Sequence, residues 1–307
     1  MLAWLLAQQI AVLFIIVACG FLLVKFHFLK AQDSQVLSVA CIYIVNPCTI
    51  LNAFQIEYSN DVRNGFLLAL VAAIVIHLMF FVICWVLYHI FEIDVVEKAS
   101  IVYSNAGNLI IPLVIAVLGE DKVIYASAFI AVQNILLWTH GQSLMQGKLG
   151  VNWKNILCNA NLIAIWLGVI FFFANIKLPF LLGSATKSLA SMIGPISMLI
   201  LGMLLAGVSW QFVFANKRVY FIAAVRMLLC PILTIAFLRF SGITTLVPDG
   251  ANVLLVTLLA AGAPAASMVT QLTQIYGLNA QYASAINVVT TLCCIVTMPL
   301  MVLLYQL

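Results

Sequence analysis

A stretch without any charged residue runs from Gly250 to the last residue, Leu307. A water-soluble domain cannot hide so much apolar chain, whereas about 20 apolar residues suffice for one helical crossing of a membrane. A polar turn at residues 276–279 divides the stretch into two crossings. The first contains Gly262 and Pro264 near its middle, where a break in the helix leaves backbone groups that need partners inside the protein. The stretch therefore predicts two membrane helices, the first of them interrupted.

The composition extends this interpretation to the whole chain. Hydrophobic residues make up 65% and charged residues 7%, against roughly 45–50% and 25% in soluble domains. Eight further apolar spans are expected at residues 1–24, 34–56, 64–91, 99–119, 123–147, 155–176, 188–216 and 219–238, the first as a retained helix rather than a cleaved leader. The sequence therefore predicts an all-α protein with ten transmembrane helices in a lipid bilayer, without a soluble domain, a cofactor or a nucleic-acid partner.

Basic residues in the loops predict the orientation. One set of loops carries seven of them, Lys25, Lys30, Lys98, Lys148, Lys154, Lys217 and Arg218, and the opposite set carries five, Arg63, Lys122, Lys177, Lys187 and Arg239. Because basic residues are enriched in cytoplasmic loops, the first set is expected in the cytoplasm. Both termini of this cell-membrane protein are then expected outside.

The two halves of the sequence resemble each other. Gly20 and Pro47 are 27 positions apart, as are Gly168 and Pro195, and the run Tyr-Ala-Ser at Tyr125 recurs at Tyr282, 157 positions later. These matches predict two five-helix repeats, residues 1–150 and 151–307. Because five is odd, the repeats are expected to be inverted across the membrane plane, an arrangement found in many carriers.

Span 4 holds the most unusual polar cluster, Asn105, Gly107, Asn108 and Pro112. Pro112 removes a backbone donor and crowds the carbonyl four residues before it, while Gly107 permits unusual dihedral angles. The freed backbone groups need partners, which the asparagine amides or a bound ligand can supply. Since span 9 breaks at the equivalent place, two half-helix N-termini are expected to meet at mid-membrane, each with about half a positive charge. That arrangement suits an anion; the alternative is a proline kink with asparagines that bridge neighbouring helices.

Polar residues in other spans are further candidates for this site: Asn46, Asn52, Gln133, Asn134, Asn287, Arg226, His77 and, after the break in span 9, Ser267. A charge inside a span is a functional candidate by default, but Arg226 could also extend to the membrane interface. His77 could shuttle protons or pack as a hydrogen-bonded core residue. For the amides, interhelical hydrogen bonding explains each about as well as a place in a cavity.

Several motifs recur in a characteristic order: residues 45–47 (Val-Asn-Pro), 105–113 (Asn-Ala-Gly-Asn-Leu-Ile-Ile-Pro-Leu), 195–202 (Pro-Ile-Ser-Met-Leu-Ile-Leu-Gly), Pro264, and Asn287 followed by 298–300 (Met-Pro-Leu). In order and spacing, over essentially the full chain, they resemble the auxin efflux carrier family. The chain lacks the long cytoplasmic loop of the plant members, so the resemblance is to a compact bacterial organic-acid carrier.

The resemblance implies a homodimer in which the broken helices 4 and 9 cross. Helices 1, 2, 6 and 7 would form a scaffold, and helices 3–5 and 8–10 a mobile transport domain. The implied substrate is a small carboxylate such as malate, malonate, oxalate or lactate. The coupling ion, proton or sodium, stays open, because no Asp or Glu lies within a predicted span. A bile-acid-type sodium symporter or an anion channel are the alternatives; an enzyme is not expected, since no catalytic pair or metal set is present.

Overall fold

The structure is a computed structural model that describes residues 2–147 and 157–307. Over those ranges the chain is helical and forms no strand. The principal helices, numbered so that two pieces of one interrupted helix share a number, are α1 (Leu2–Lys25), α2 (Ala31–Ala53), α3 (Asn60–Phe91), α4a (Val95–Val102), α4b (Ala106–Leu118), α5 (Glu120–Gln146), α6 (Ala160–Phe173), α7 (Phe180–Ala206), α8 (Lys217–Phe240), α9a (Gly250–Ala261), α9b (Ser267–Ile275) and α10 (Ala280–Gln306).

Seven of these helices are long and apolar enough to cross a membrane: α1, α2, α3, α5, α7, α8 and α10. Three shorter apolar helices, α4b, α6 and α9a, occupy the positions of predicted spans 4, 6 and 9. Two of these spans are shorter because their helices are interrupted. The expected start of span 6 at residue 155 lies outside the described residues, and so does the expected boundary between the two repeats at residue 150.

Glycines bring two pairs of helices into close contact. A Cβ on Gly20 of α1 would collide with the backbone carbonyl of Leu199 in α7, and one on Gly202 of α7 would collide with that of Val17 in α1. The backbones of α1 and α7 therefore touch, which is the packing that small residues permit between membrane helices. In the same way, Gly168 of α6 leaves room for the ring of Phe54, directly after α2.

Prolines widen the turn that precedes them in three helices. Pro47, Pro112 and Pro231 each follow a π-helical turn, at Cys41–Val45, Ala106–Ile110 and Val225–Leu229 respectively. A proline lacks the N–H for the usual bond, and its ring crowds the carbonyl four residues earlier. A wider turn relieves that crowding, so α2, α4b and α8 continue past the proline instead of ending there.

A buried carboxylate joins the start of α4a to α8 and α10. Glu97 is fully buried; it accepts hydrogen bonds from the Nη2 of Arg218 (2.9 Å) and the hydroxyl of Tyr282 (2.5 Å), and it pairs with the Nε of Arg218. Its backbone N–H donates to Asp94, which completes a capping box at the start of the helix. These contacts hold α4a in place against α8 and α10.

A second ion pair lies at the other end of the same bundle. The Nζ of Lys122, at the start of α5, donates to the Oδ2 of Asp249, just before α9a (2.7 Å). Burial raises the pKa of the Asp249 carboxyl, but the hydrogen bonds from Lys122 and Asn252 outweigh that effect and hold the pKa below its ordinary value. Because the pair is partly exposed, it contributes little to stability.

Candidate substrate site

The two interrupted helices cross where each is broken. Between α4a and α4b, residues 103–105 are not helical, and they pair in an antiparallel sense with residues 264–266 between α9a and α9b. The N–H of Asn105 donates to the carbonyl of Pro264 (2.8 Å), and the N–H of Ala266 donates to the carbonyl of Tyr103 (2.9 Å). Non-helical backbone inside a membrane is tolerated only where protein satisfies its polar groups. Each break therefore supplies one N–H donor and one carbonyl acceptor to the other.

The break in span 9 lies at the predicted position, but the break in span 4 does not. The prediction placed it at Gly107 and Pro112, whereas α4a ends at Val102 and α4b begins at Ala106. Gly107 lies inside the π-turn, and Pro112 is near the N-terminus of the α-helical part that follows. The π-turn relieves the crowding between the proline ring and the preceding turn, so Pro112 distorts α4b without breaking it.

Gln133 of α5 binds the central residue of the first break. Ser104 and Ala265 form the bridge pair whose own N–H and C=O groups point away from the partner strand. The Oε1 of Gln133 accepts from the N–H (2.9 Å) and the hydroxyl (2.7 Å) of Ser104, and its Nε2 donates to the Ser104 carbonyl (2.8 Å). One buried amide thus satisfies every polar group of Ser104. Gln133 therefore forms hydrogen bonds between helices, which was the alternative to a place in a cavity.

Two residues of α10 do the same for Ala265. The N–H of Ala265 donates to the hydroxyl of Thr290 (3.1 Å), and the Nδ2 of Asn287 donates to the Ala265 carbonyl (2.6 Å). Asn287, a predicted site residue, is therefore next to the crossing, with its amide nitrogen bound to backbone.

Arg226 of α8 binds the C-terminal ends of both broken helices. Its Nη1 donates to the carbonyl of Ile101 (2.7 Å), its Nη2 to that of Ala261 (2.7 Å) and its Nε to that of Ala263 (3.1 Å). The residue is 0% exposed, so the head group does not extend to the surface. The last carbonyls of a helix lack intrahelical partners and carry partial negative charge. The single guanidinium of Arg226 donates hydrogen bonds to the carbonyls at both of these helix ends.

The N-terminal ends of α4b and α9b both lie at the crossing. The first amides of a helix have no intrahelical partner. At the start of α4b, the side chain of Asn105 is 8% exposed and forms no hydrogen bond within the described chain. Asn108 and Gly107 follow in the π-turn, and the amide nitrogen of Asn46 in α2 lies 3.9 Å from the place of a Cβ on Gly107. These four residues, predicted from sequence, do lie together.

Two cavities flank the crossing on opposite sides. The larger, of about 940 Å³, lies along the start of α2, the end of α7 and the length of α9b, and Ser267 and Asn287 line it. The smaller, of about 260 Å³, lies along the end of α2, the start of α7 and α4b, and Pro112 and Asn52 line it. The predicted site residues are thus divided between the two cavities and the wall that separates them. Among the described residues, none that lines the larger cavity is charged.

Three predicted residues lie apart from an open cavity. Gly262 ends α9a and packs against the side chain of Met301, and the Nδ2 of Asn134 is buried without a partner in the described chain. His77 is fully buried, with its Nδ1 2.7 Å from the Ala73 carbonyl and its ring 4.8 Å from that of Phe129. His77 therefore has the contacts of a packing residue.

Two functional candidates were missed by the sequence. Trp138 of α5 lines the larger cavity, and its buried Nε1 has no partner among residues 2–147 and 157–307. No local pattern singles it out. Thr290 could have been found, because it lies 157 positions after Gln133, the interval that also separates Tyr125 from Tyr282.

The predominantly apolar helices, seven of them long enough to cross a membrane, together with two broken helices that cross inside the chain, indicate a multi-pass membrane protein. A family model described as membrane transport protein matches it twice, at residues 5–152 and 148–302. The protein belongs to this family, that of the auxin efflux carriers, whose members are membrane transporters, and the resemblance in the motifs is confirmed. No individual curated protein matches the sequence significantly.

Proposed function

We propose that the protein is a secondary active transporter that carries a small organic anion, such as a mono- or dicarboxylate, by an elevator-type movement. The observation that supports this most directly is the pair of N-terminal ends, α4b and α9b, that start at one crossing beside an uncharged cavity. Unpaired amides and the helix dipole favour a negatively charged ligand. The side chains of Asn105, Asn108 and Ser267 add donors at the same place.

The two unequal cavities support alternating access. If residues 1–150 and 151–307 are inverted repeats, α4b with its cavity in the first half corresponds to α9b with its cavity in the second. A carrier with two nearly equivalent poses can then open to either side in turn. The larger cavity lies on the side of the loops predicted to be cytoplasmic, so the proposed pose is open to the inside.

The moving part would be the bundle of α3–α5 and α8–α10, which includes the crossing and both ion pairs. The close glycine contacts of α1 with α7 and of α2 with α6 suit a rigid scaffold, and we propose that two copies associate through it. Asn46 would meet the substrate from the scaffold side, and the coupling ion, proton or sodium, is left to experiment.

Binding tests the proposal directly. Purified protein should be stabilised against thermal unfolding by one or more small carboxylates, since a ligand that binds only the native state stabilises it. The screen compares mono- and dicarboxylates with neutral analogues, with and without sodium, across pH. Stabilisation by neutral analogues alone would contradict the anion site, and sodium-dependent binding of a sterol-like anion would favour the symporter alternative. In proteoliposomes, a carrier shows saturation and counterflow, whereas a channel shows neither.

A reversible cross-link tests the movement. A Cβ on Gly194 of α7 would lie 3.6 Å from the Cβ of Pro112 in α4b, within the spacing of about 3.5–4.5 Å that a disulfide requires. The double variant Pro112→Cys with Gly194→Cys, in a background without the eight native cysteines, should stop transport when oxidised and regain it when reduced. Each single variant is the control, because it responds to neither treatment. Full turnover of the oxidised double variant would contradict an elevator movement.

A further inference from the structure

Three buried polar atoms lie without a partner where α5 faces α9b. The Nε1 of Trp138 and the Oε1 of Gln142 belong to α5, and the Oγ1 of Thr270 belongs to α9b; none of them has a hydrogen-bond partner in the part of the chain that the structure describes. Gln142 itself is only 4% exposed. These three residues form what we call the polar niche.

The course of the two helices brings the members of the polar niche together. The Nε2 of Gln142 donates to the hydroxyl of Tyr276, directly after α9b (2.9 Å). Both helices run away from the crossing, since Gln133 of α5 binds Ser104 there and α9b begins there. One turn back towards the crossing from Gln142 is Trp138, and Thr270 lies two three-residue steps back from Tyr276. Both line the larger cavity, so the polar niche belongs to its wall.

The missing partners of these atoms call for an explanation, because buried polar groups in proteins are nearly always hydrogen-bonded. Neighbouring groups follow that rule: the Thr273 hydroxyl donates to the Thr270 carbonyl (2.7 Å), and the Nδ2 of Asn287 donates to the Ala265 carbonyl (2.6 Å). The three atoms of the polar niche are also closed to solvent in the cavity. Among the described residues, neither helix supplies what they need.

The chemistry of the three atoms defines the group that would satisfy them. An indole N–H only donates, an amide oxygen only accepts, and a threonine hydroxyl does both. A ligand group therefore has to accept from Trp138 and donate to Gln142 or Thr270. A hydroxyl does both at once, whereas a carboxylate can only accept and an ammonium can only donate. A neutral group also suits a cavity in which no charged residue of the described chain takes part.

We infer that the polar niche binds a hydroxyl group of the substrate, so that the carrier selects hydroxy acids over the matching acids without the hydroxyl. This inference rests on the proposed function, which supplies the acid, and narrows its substrate class. Thr270 lies one turn after Ser267, about 4.5 Å along α9b, so a hydroxyl on the first or second carbon after the carboxylate can reach it. The niche opens when the Thr270 side chain turns about its Cα–Cβ bond and brings its hydroxyl to the cavity.

Pairs of acids that differ by one hydroxyl test this at equal charge: lactate with propionate, 3-hydroxybutyrate with butyrate, and malate with succinate. In at least one pair, the purified full-length protein should bind the hydroxy acid about tenfold or more tightly, a difference of about 1.4 kcal/mol. The reason is that only the hydroxy acid gives partners to the buried groups of the site. Equal binding within every pair would overturn the inference while the anion carrier stands. If no acid of a full carboxylate series bound, the proposed function would fall as well.

Two variants of nearly constant shape assign the preference to the polar niche. Trp138→Phe keeps an aromatic ring without the N–H, and Thr270→Val replaces the hydroxyl by a methyl group. Both should lower the preference for the hydroxy acid by about tenfold, or about 1.4 kcal/mol, and leave the binding of the matching acid nearly unchanged, which also shows that the variants fold. Thr270→Ser, which keeps the hydroxyl, should retain the preference.

Ser38→Ala is the control within the same cavity. Ser38 lines the larger cavity from α2, but its hydroxyl already donates to the Ser34 carbonyl of its own helix (2.8 Å). This variant should therefore retain the full preference for the hydroxy acid. An unchanged preference in both Trp138→Phe and Thr270→Val, or an equal loss of both acids of a pair, would contradict the polar niche as the cause.

Discussion

Gln133 and Thr290 bind the backbone at the two breaks from corresponding positions of α5 and α10. Gln133 binds the N–H of Ser104, and Thr290 binds the N–H of Ala265, the bridge partner of Ser104. The two residues are 157 positions apart in the sequence, the interval that separates Tyr125 from Tyr282. Each half of the chain therefore supplies a helix whose side chains bind the backbone of its own broken helix.

The first prediction is that both residues stabilise the crossing, to different degrees. Gln133→Ala leaves three polar groups of Ser104 without partners, whereas Thr290→Val leaves one, the N–H of Ala265. Each unsatisfied buried group costs about 1–3 kcal/mol. Gln133→Ala should therefore lower the midpoint of thermal unfolding in detergent more than Thr290→Val, and both should reduce transport.

Thr297→Val is the matched control, because the Thr297 hydroxyl binds only the Cys293 carbonyl of its own helix. It should unfold like the unaltered protein. Equal midpoints for Thr290→Val and Thr297→Val would show that α10 does not support the break.

The sequence predicts one break better than the other for a physical reason. In span 9, Gly262 and Pro264 mark the place locally, since one ends a helix and the other cannot continue it. In span 4, the helix is broken at Ser104 by bonds to Gln133 and to the opposing strand, and no local pattern encodes partners so distant in the chain. Pro112, on which the prediction of the break rested, is accommodated by a π-turn instead.

The same limit applies to Arg226. Its burial depth follows from its place in an apolar span, so the sequence singles it out, but its acceptors are backbone carbonyls on two other helices. Because every residue type has a backbone carbonyl, no sequence pattern predicts which residues accept these hydrogen bonds. The amides of Asn46, Asn105 and Asn108 were found more easily, because an amide in a membrane span is unusual in itself.

Arg226 gives the second prediction. Arg226→Lys keeps the charge but loses the planar fork, so it can satisfy fewer of the three carbonyls; Arg226→Met satisfies none. Hydrogen bonds to charged groups contribute about 1.5–3 kcal/mol each. Thermal stability should fall in the order Arg226, Lys, Met, with transport falling in parallel. Arg239→Lys, an exposed exchange in the same helix, should leave both unchanged. A normal midpoint with loss of substrate binding alone would show that Arg226 contacts the substrate.

The third prediction concerns orientation. Cys158, which is exposed beside the larger cavity, should be protected from a membrane-impermeant thiol reagent added to intact cells, because the basic residues predict that side as cytoplasmic. Ser59→Cys, at the start of α3 on the other side, should be labelled. Each is tested as the single cysteine of the protein, and opening the cells should expose Cys158. The reverse pattern would place both termini inside.

The last prediction concerns Asn105 and Asn108 at the start of α4b. A carboxylate at this helix end can accept from their amides, and such charge-assisted hydrogen bonds contribute about 1.5–3 kcal/mol each. Losing one should weaken substrate binding by about 10- to 150-fold, so Asn105→Ala and Asn108→Ala should raise Kd by that factor while the unfolding midpoint of the empty protein changes little.

Asn105→Asp and Asn108→Asp should bind more weakly still, because a carboxylate repels the anion. Asn60→Ala, exposed at the start of α3, should match the unaltered protein. If all these variants kept the original Kd, the substrate would have to bind away from the crossing.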